Sequence, residues 1–312
     1  MRPVSVIKYI GLPIAGVALI YSLLLFAYPP GAAGMLALVG RSPQCGVVEA
    51  VVGGHRLYWS YRGYSKQVND AARLVGKDAA AGLQVVETSE GRFWEPVVEG
   101  SAVTAQIAEI RAKYHGLRES VIRPGDIVLD CGANVGVFTR EALRRGARLV
   151  VAIEPAPVNI ECLRRNLADE ISAGRVILYE KGVWDREEML RLRENESTSA
   201  MDGFVKGENT RDGPLLPLTT IDNLVRELKL DRVDFVKMDI EGAERRALRG
   251  AMRTLAQRHP RLEISVNHLP DDPVVVPAII RSAWSGYGTE CLLCSLAPMQ
   301  WKVKADMIYF RP

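Results

Sequence analysis

The residues best able to do chemistry fall in two clusters. In "VDFVKMDIEGAE" (Val233–Glu244), Lys237 and Asp239 interrupt an otherwise apolar run at alternate positions, and Glu241 follows two residues on. Alternate residues of a strand share a face, and buried charges need partners or a purpose. Asp239 stands where the strand ends and can accept a hydroxyl proton, while Lys237 can neutralise it or orient a substrate oxygen. His268, ending "LEISVNH", is a second proton acceptor, because a neutral imidazole titrates near pH 7. Asp239, His268 and Lys237 are therefore the catalytic candidates, with Glu241 on the substrate side. No residue is assigned as a metal ligand, since no diagnostic ligand spacing occurs. A divalent metal at Asp239, Glu241 and a further ligand stays open, because a metal can acidify a hydroxyl.

The second cluster is the loop in "IVLDCGANVGVFT" (Ile127–Thr139). A dinucleotide fingerprint needs glycines at its first, third and sixth positions, and Asn134 occupies the third. A phosphate-binding P-loop needs a Gly-Lys-Ser/Thr ending that is missing here. What remains is Asp130, Gly132, Asn134 and Gly136 at alternate positions, with an acid, Glu154, after the next apolar run. S-adenosylmethionine has no phosphate but carries an ammonium, a sulfonium and a ribose diol, which acids serve well. Asp130 is expected to attract its amino-acid end, Gly132 to let the backbone approach, Asn134 to satisfy polar groups and Glu154 to accept the ribose hydroxyls. In "YEKGVWDRE", Gly182 and Val183 are expected against the adenine, with Trp184 stacking or packing on the substrate side.

The elements that must position these residues alternate. "DIVLDCG", "RLVVAIEP", "RVILYEKGVW", "VDFVKMD" and "LEISV" read as strands and the segments between them as helices. Near-continuous Val, Ile and Leu in the strands suits a parallel sheet covered on both faces. The expected fold is α/β, a doubly wound, mostly parallel Rossmann-like sheet closed by the late strands "TECLLCS" and "DMIYF". An apolar N-terminal helix and a small α+β extension precede it. The expected division is 1–40 anchor, 41–115 extension and 116–312 catalytic domain. Within the extension, "VVEAVVGGHRLYWSYRG" reads as strand, "YSKQVNDAARLVGKDAA" as helix and "LQVVETSEGRFWEPVV" as a hairpin. The polar "ENESTSAMDGFVKGENTRDG" reads as a mobile loop.

The composition, 48% hydrophobic and 25% charged, is that of a folded protein, and a net charge of +3 is too slight for a dedicated nucleic-acid binder. The five cysteines lack framework spacing; Cys291 and Cys294 form a CxxC with no second pair for a zinc site and read as buried thiols instead of a metal or redox pair, and the usage suits a reducing compartment. Residues 9–40 carry no charge, and twenty of them span roughly 30 Å as a helix, the thickness of a bilayer core. A membrane location through contact of this segment with lipid is therefore expected, a cleaved signal peptide being the competitor. Arg2 and Lys8 favour a cytoplasmic N-terminus, so a single crossing would carry the chain outside. A hairpin-like or peripheral anchor would instead leave the catalytic domain in the cytoplasm, where S-adenosylmethionine is made.

"LDCGANVGVFT", "VVAIEPAPVNIECLRRNL", "LPLTTIDNL", "VDFVKMDIEGAERRALRG" and "LEISVNHLPDDP" follow one another as do the successive blocks of FkbM-type methyltransferases, which the chain resembles from about Pro124 to Pro273. The resemblance implies a class I seven-stranded methyltransferase fold, S-adenosylmethionine as donor and a hydroxyl acceptor on a sugar, glycoconjugate or secondary metabolite. O-methyl transfer to such a small-molecule or glycan acceptor, with no nucleic-acid partner, is the expected function. A non-catalytic, membrane-tethered module with the same fold is the alternative. A nucleotide-dependent oxidoreductase is a further one, against which the glycine spacing counts.

Overall fold

The computed structural model describes residues 16–97, 101–114, 121–195, 210–297 and 300–312, apart from 18 and 26. After helical residues 19–25 come α1 (Pro29–Leu38), α2 (Val47–His55), a π-helical turn (Arg56–Ser60) and α3 (Tyr61–Ala71). Strands β1 (Arg73–Asp78), β2 (Leu83–Thr88) and β3 (Gly91–Pro96) form an antiparallel sheet that leads to α4 (Ala102–Tyr114). Then β4 (Ile127–Cys131), α5 (Val137–Arg144), β5 (Leu149–Ile153), α6 (Pro157–Asn166), α7 (Ala168–Ser172) and β6 (Val176–Tyr179) alternate. The short β7 (Gly182–Val183), β8 (Glu188–Asn195) and β9 (Thr210–Thr219) form a side sheet, followed by α8 (Ile221–Glu227). The chain completes with β10 (Phe235–Met238), α9 (Glu244–Arg249), α10 (Met252–Arg258), β11 (Arg261–Ser265), α11 (Asp272–Ala283), β12 (Gly288–Ala297) and β13 (Lys302–Arg311).

The main sheet has seven strands in the order β12-β13-β11-β10-β4-β5-β6. Strands β11, β10, β4, β5 and β6 are parallel, while β13 runs antiparallel to β11 and β12 antiparallel to β13. This is the expected doubly wound, mostly parallel α/β sheet, with buried helix faces on both sides. Strand order reverses between β4 and β10, and that switch point is where such sheets bind ligands, beyond the carboxyl ends of the strands. The apolar run of β4 is wholly buried, with Ile127, Val128 and Leu129 all in the core.

The expectation of an N-terminal membrane anchor, and with it a membrane location and a lipid partner, is overturned. Among the described residues, no helix is long and apolar enough to cross a membrane. Residues 1–15 of the expected span lie outside the described residues. The ten-residue α1 rises only about 15 Å, and its Ala32, Ala33 and Leu36 belong to the main core cluster. Tyr21 is buried too, with its ring stacked on Trp301 at 4.6 Å. The apolarity of Tyr21 and of α1 serves packing on the protein, whereas Val17, Leu19, Ile20 and Leu23 are exposed.

Val47–His55 is a helix where a strand was expected. Its start is fixed by the Glu49 carboxylate, which accepts from the Gly46 N–H at 2.8 Å. Added Cβ atoms would stand 2.8 Å from Cys294 Sγ at Gly53 and 3.3 Å from Pro30 at Gly54, so glycines let the helix lie flat on β12 and α1. That tertiary contact overrides the strand preference of four valines. Cys45, just before this helix, is disulfide-bonded to Cys291 on β12, so Cys291 is not the buried thiol expected; Cys294 Sγ lies 3.1 Å from Cys45 Sγ. The polar segment read as a loop extends into β8 and β9, and its middle, residues 196–209, lies outside the described residues.

Candidate functional site

The loop between β4 and α5 owes its shape to three residues in the left-handed region: Gly132 (φ 80°), Asn134 (φ 50°) and Gly136 (φ 93°). Glycine adopts this conformation without steric cost, and asparagine tolerates it better than most residues. A Cβ at Gly132 would stand 2.1 Å from the Asp239 carbonyl oxygen, so glycine alone lets this loop meet the turn after β10. At Gly136 a Cβ would press on Leu163 and Leu167 at 3.1 Å.

Glu154, beyond the end of β5, fastens the same loop. Its Oε2 accepts from the Asn134 N–H at 2.9 Å, and its Oε1 accepts from the Ala156 N–H at 2.9 Å. Burial pushes its carboxyl up to about 7, against the pull of those hydrogen bonds. Gln106 of α4 donates to Asn134 Oδ1 at 3.1 Å.

Beneath the loop, three adjacent strands carry charges in register. Lys237 on β10 pairs with Asp130 on β4 and with Glu263 on β11, and all three are buried. Lys237 Nζ lies 3.4 Å from Asp130 Oδ1 and donates to the Gly132 carbonyl at 2.8 Å. The Thr139 hydroxyl donates to Asp130 Oδ2 at 2.7 Å. Glu263 is met by Lys113 Nζ at 2.8 Å and by the Tyr114 hydroxyl at 2.7 Å, both from α4. Burial alone would lower both lysines, but their acids outweigh it and raise them: Asp130 and Asp239 for Lys237, Glu263 and Glu109 for Lys113. Buried charges of this kind are tolerable only when paired.

The third part is an acid–histidine cluster. The turn after Asp239 places Glu241 (φ 54°) and Gly242 (φ 91°) in the left-handed region. His268, beyond β11, sets Nε2 at 3.5 Å from Asp239 Oδ1 and 3.4 Å from Glu241 Oε2. Its Nδ1 lies 3.0 Å from Oε1 of the buried Glu244, the same oxygen that accepts from the Ile240 N–H at 2.9 Å. Arg245 of α9 clasps both Asp271 and Asp272, and Asp272 accepts from the Leu269 N–H at 2.7 Å, which pins the turn that carries His268. Burial disfavours the imidazolium, but Glu241, Glu244 and Asp239 push the ring up to about 11. His268 therefore carries its proton at neutral pH in these surroundings, and accepting a proton falls to the carboxylates. Burial alone would raise Asp239, but Lys237, His268 and Lys113 overcome it and hold the carboxyl below the usual range.

Loop and cluster face one cavity of about 310 Å³, roofed by α4. Gly132, Asn134, Lys237, Asp239 and Glu241 are among its walls, together with Phe138. Asp130, Gly136 and Glu154 stand behind the loop instead of lining the cavity. Gly182 and Val183 are buried in β7, hydrogen-bonded as a pair to Leu218 and Thr219. Trp184 packs with Leu218 and Ala243, its carbonyl against Gly250. Sequence reasoning missed Gln106, Glu109 and Lys113 of α4 among the walls, and Glu244 and Glu263 behind them. The i,i+4 pair Glu109–Lys113 was the one local signal, with oxygen and nitrogen 3.6 Å apart.

A curated relative, 31-O-demethyl-FK506 methyltransferase FkbM of Streptomyces tacrolimicus, is 30% identical over 166 positions, covering 44% of this chain and 62% of its own. The chain thus spans less than two thirds of that relative. Among solved structures, methyltransferase FkbM of Methylobacillus flagellatus is 21% identical with a TM-score of 0.44, over 68% of this chain and 55% of its own. Aeropyrum pernix fibrillarin, solved with S-adenosylmethionine, is 16% identical with a TM-score of 0.39, over 73% and 94%. The family model of the methyltransferase FkbM domain matches residues 130–285, half of the 312 residues and all of the stretch from Asp130 through His268, so the chain belongs to the FkbM methyltransferase family.

Proposed function

We propose that this protein transfers a methyl group from S-adenosylmethionine to a hydroxyl of a small molecule: a sugar, a glycoconjugate or a secondary metabolite. The observation that carries the reading is that the Asp130–Gly136 loop and the Asp239–Glu241 turn wall a single cavity. The residues suit this donor. Gly132 lets the loop close on the Asp239 turn, and the cavity walls offer the carboxylates of Glu109, Asp239 and Glu241 to a sulfonium and an ammonium. Asn134 faces the cavity, and Glu154 fastens its backbone from behind the loop.

Bound S-adenosylmethionine supplies a methyl group on a positively charged sulfur. The chain's own residues align the acceptor oxygen with that methyl and remove its proton. Asp239, ionised and within the cavity, takes the proton; Lys237 and His268 hold it in place and ionised. Asp130 acts through Lys237, which it keeps directed at the Gly132 carbonyl. The name of the Streptomyces tacrolimicus relative describes transfer at an O-demethyl position, which supports an oxygen acceptor here. Incubating the full chain with S-[methyl-³H]-adenosylmethionine and a panel of hydroxylated acceptors tests the reading. Asp239→Asn should slow transfer by about 100-fold or more, the usual range for a general base. Transfer unaffected by Asp239→Asn would remove this role.

A further inference from the structure

We infer that Asp239, Glu241 and His268 together bind one divalent cation of the Mg²⁺/Mn²⁺ class, a site that deepens the methyl-transfer reading and rests on it for its purpose. One ligand atom from each residue lies within 4.8 Å of the others. His268 Nε2 is 3.5 Å from the Asp239 oxygen and 3.4 Å from the Glu241 oxygen. Neighbouring ligands of an octahedral ion bound at about 2.1 Å stand about 3 Å apart, so a small inward adjustment completes the set. Two carboxylates and one imidazole favour Mn²⁺ or Mg²⁺ over thiolate-seeking metals, and the remaining positions would be left to water or substrate oxygen. The cation would take the place of the proton that His268 carries in the empty site, which is released to solvent on binding.

The independent observation is behind the histidine. A metal-bound imidazole almost always gives its other ring nitrogen to a carboxylate or carbonyl, which fixes the tautomer and aims the ligand nitrogen. Glu244 is placed for this: it is fully buried and its Oε1 lies 3.0 Å from His268 Nδ1, while that ring nitrogen and Glu244 Oε2 have no aligned hydrogen bond among the described residues. A buried carboxylate spent on orienting one ring leaves Nε2 directed between two further acids. Asp239 and Glu241 also line the cavity while His268 stands behind them, so the cation would sit at the wall and draw the acceptor oxygen toward the reacting end. The site is distinct from the donor loop, whose Asp130 and Glu154 are engaged with Lys237, Thr139 and backbone N–H groups.

Electron paramagnetic resonance of Mn²⁺ titrated into the full chain, without any methyl donor, tests the site. One Mn²⁺ per chain is expected, with binding weakened by at least about tenfold in Glu241→Gln and in His268→Ala, and severalfold in Glu244→Gln. Asp231→Asn, at a surface carboxylate, should bind as wild type. Circular dichroism checks folding of each variant; if one unfolds, Asp239→Asn provides the same comparison. Absence of Mn²⁺ binding below about 1 mM, or binding indifferent to Glu241→Gln and His268→Ala, overturns the inference. Mn²⁺ binding in a protein that binds no S-adenosylmethionine would keep the cation site and remove the methyl-transfer reading. Donor binding without Mn²⁺ binding would do the reverse.

Discussion

Lys237 on β10 stands in register with Asp130 on β4, its ammonium 3.4 Å from that buried carboxylate and 2.8 Å from the Gly132 carbonyl. The ion pair thus holds the ligand loop through its backbone. Asp130→Asn leaves a buried ammonium without its acid and is expected to destabilise the protein by about 3–5 kcal/mol. Asp130→Leu combined with Lys237→Met should cost less than either single change, because no charge is left buried alone. Urea denaturation of Asp130→Asn, of the double variant and of its two single changes reads both outcomes.

Gly132→Ala should be the most damaging small substitution in the loop. Its methyl group would stand 2.1 Å from the Asp239 carbonyl, at a backbone φ of 80° that alanine resists. At Gly136 the nearest atoms are leucine side chains at 3.1 Å, which can yield. Thermal denaturation should therefore rank Gly132→Ala below Gly136→Ala, by about 1–3 kcal/mol.

Glu154 gives stability a pH dependence of known sign. Its folded carboxyl is raised by burial to about 7, above the 4.5 of a free glutamate. In this window the folded protein holds a proton that the unfolded chain has released, so the contribution is full below about 4.5 and is lost as pH rises through 7. Relative to Glu154→Gln, wild type should lose on the order of 3 kcal/mol across that range. Donor affinity, which depends on the loop that Glu154 fastens, should change over the same window. Paired denaturation and donor-binding curves from pH 4.5 to 8 check both, and a flat difference would remove Glu154 from the account.

Arg245 contacts neither donor nor acceptor in this account, yet it clasps Asp271 and Asp272 below the turn that carries His268. Arg245→Ala should loosen His268 and lower kcat by about tenfold while leaving donor affinity unchanged. Arg245→Lys should recover part of the loss. An equal fall in donor affinity would indicate a general structural role.

The parallel strands and the ligand loop were legible because their signals are local: Val, Ile and Leu runs, glycines four apart, and an acid after the next strand. Lys237 and Asp239 stood out for the same reason, as charges inside an apolar strand. What escaped was set by distant partners. Glu263 meets Tyr114, 149 residues away, and nothing in "LEISV" announces a lysine and a tyrosine from α4. Glu244 reads as an ordinary first-turn acid until His268 folds against it. The misread anchor has the same origin, since an apolar run with small residues suits a lipid core and a protein core alike. Gly34 shows which: a Cβ there would stand 2.5 Å from Val51, so α1 is cut to fit α2. The valines of α2 favoured a strand for as long as the close contacts of Gly53 and Gly54 were unseen.

The Gly132–Asn134 loop, fastened by Glu154, is the proposed binding site for S-adenosylmethionine. Isothermal titration calorimetry of the full chain tests it most directly, with S-adenosylmethionine and NAD as ligands. One S-adenosylmethionine per chain is the result the account requires, with NAD unbound and with affinity reduced about tenfold or more in Glu154→Ala. No heat with S-adenosylmethionine, equal binding of NAD, or undiminished affinity in Glu154→Ala would contradict it.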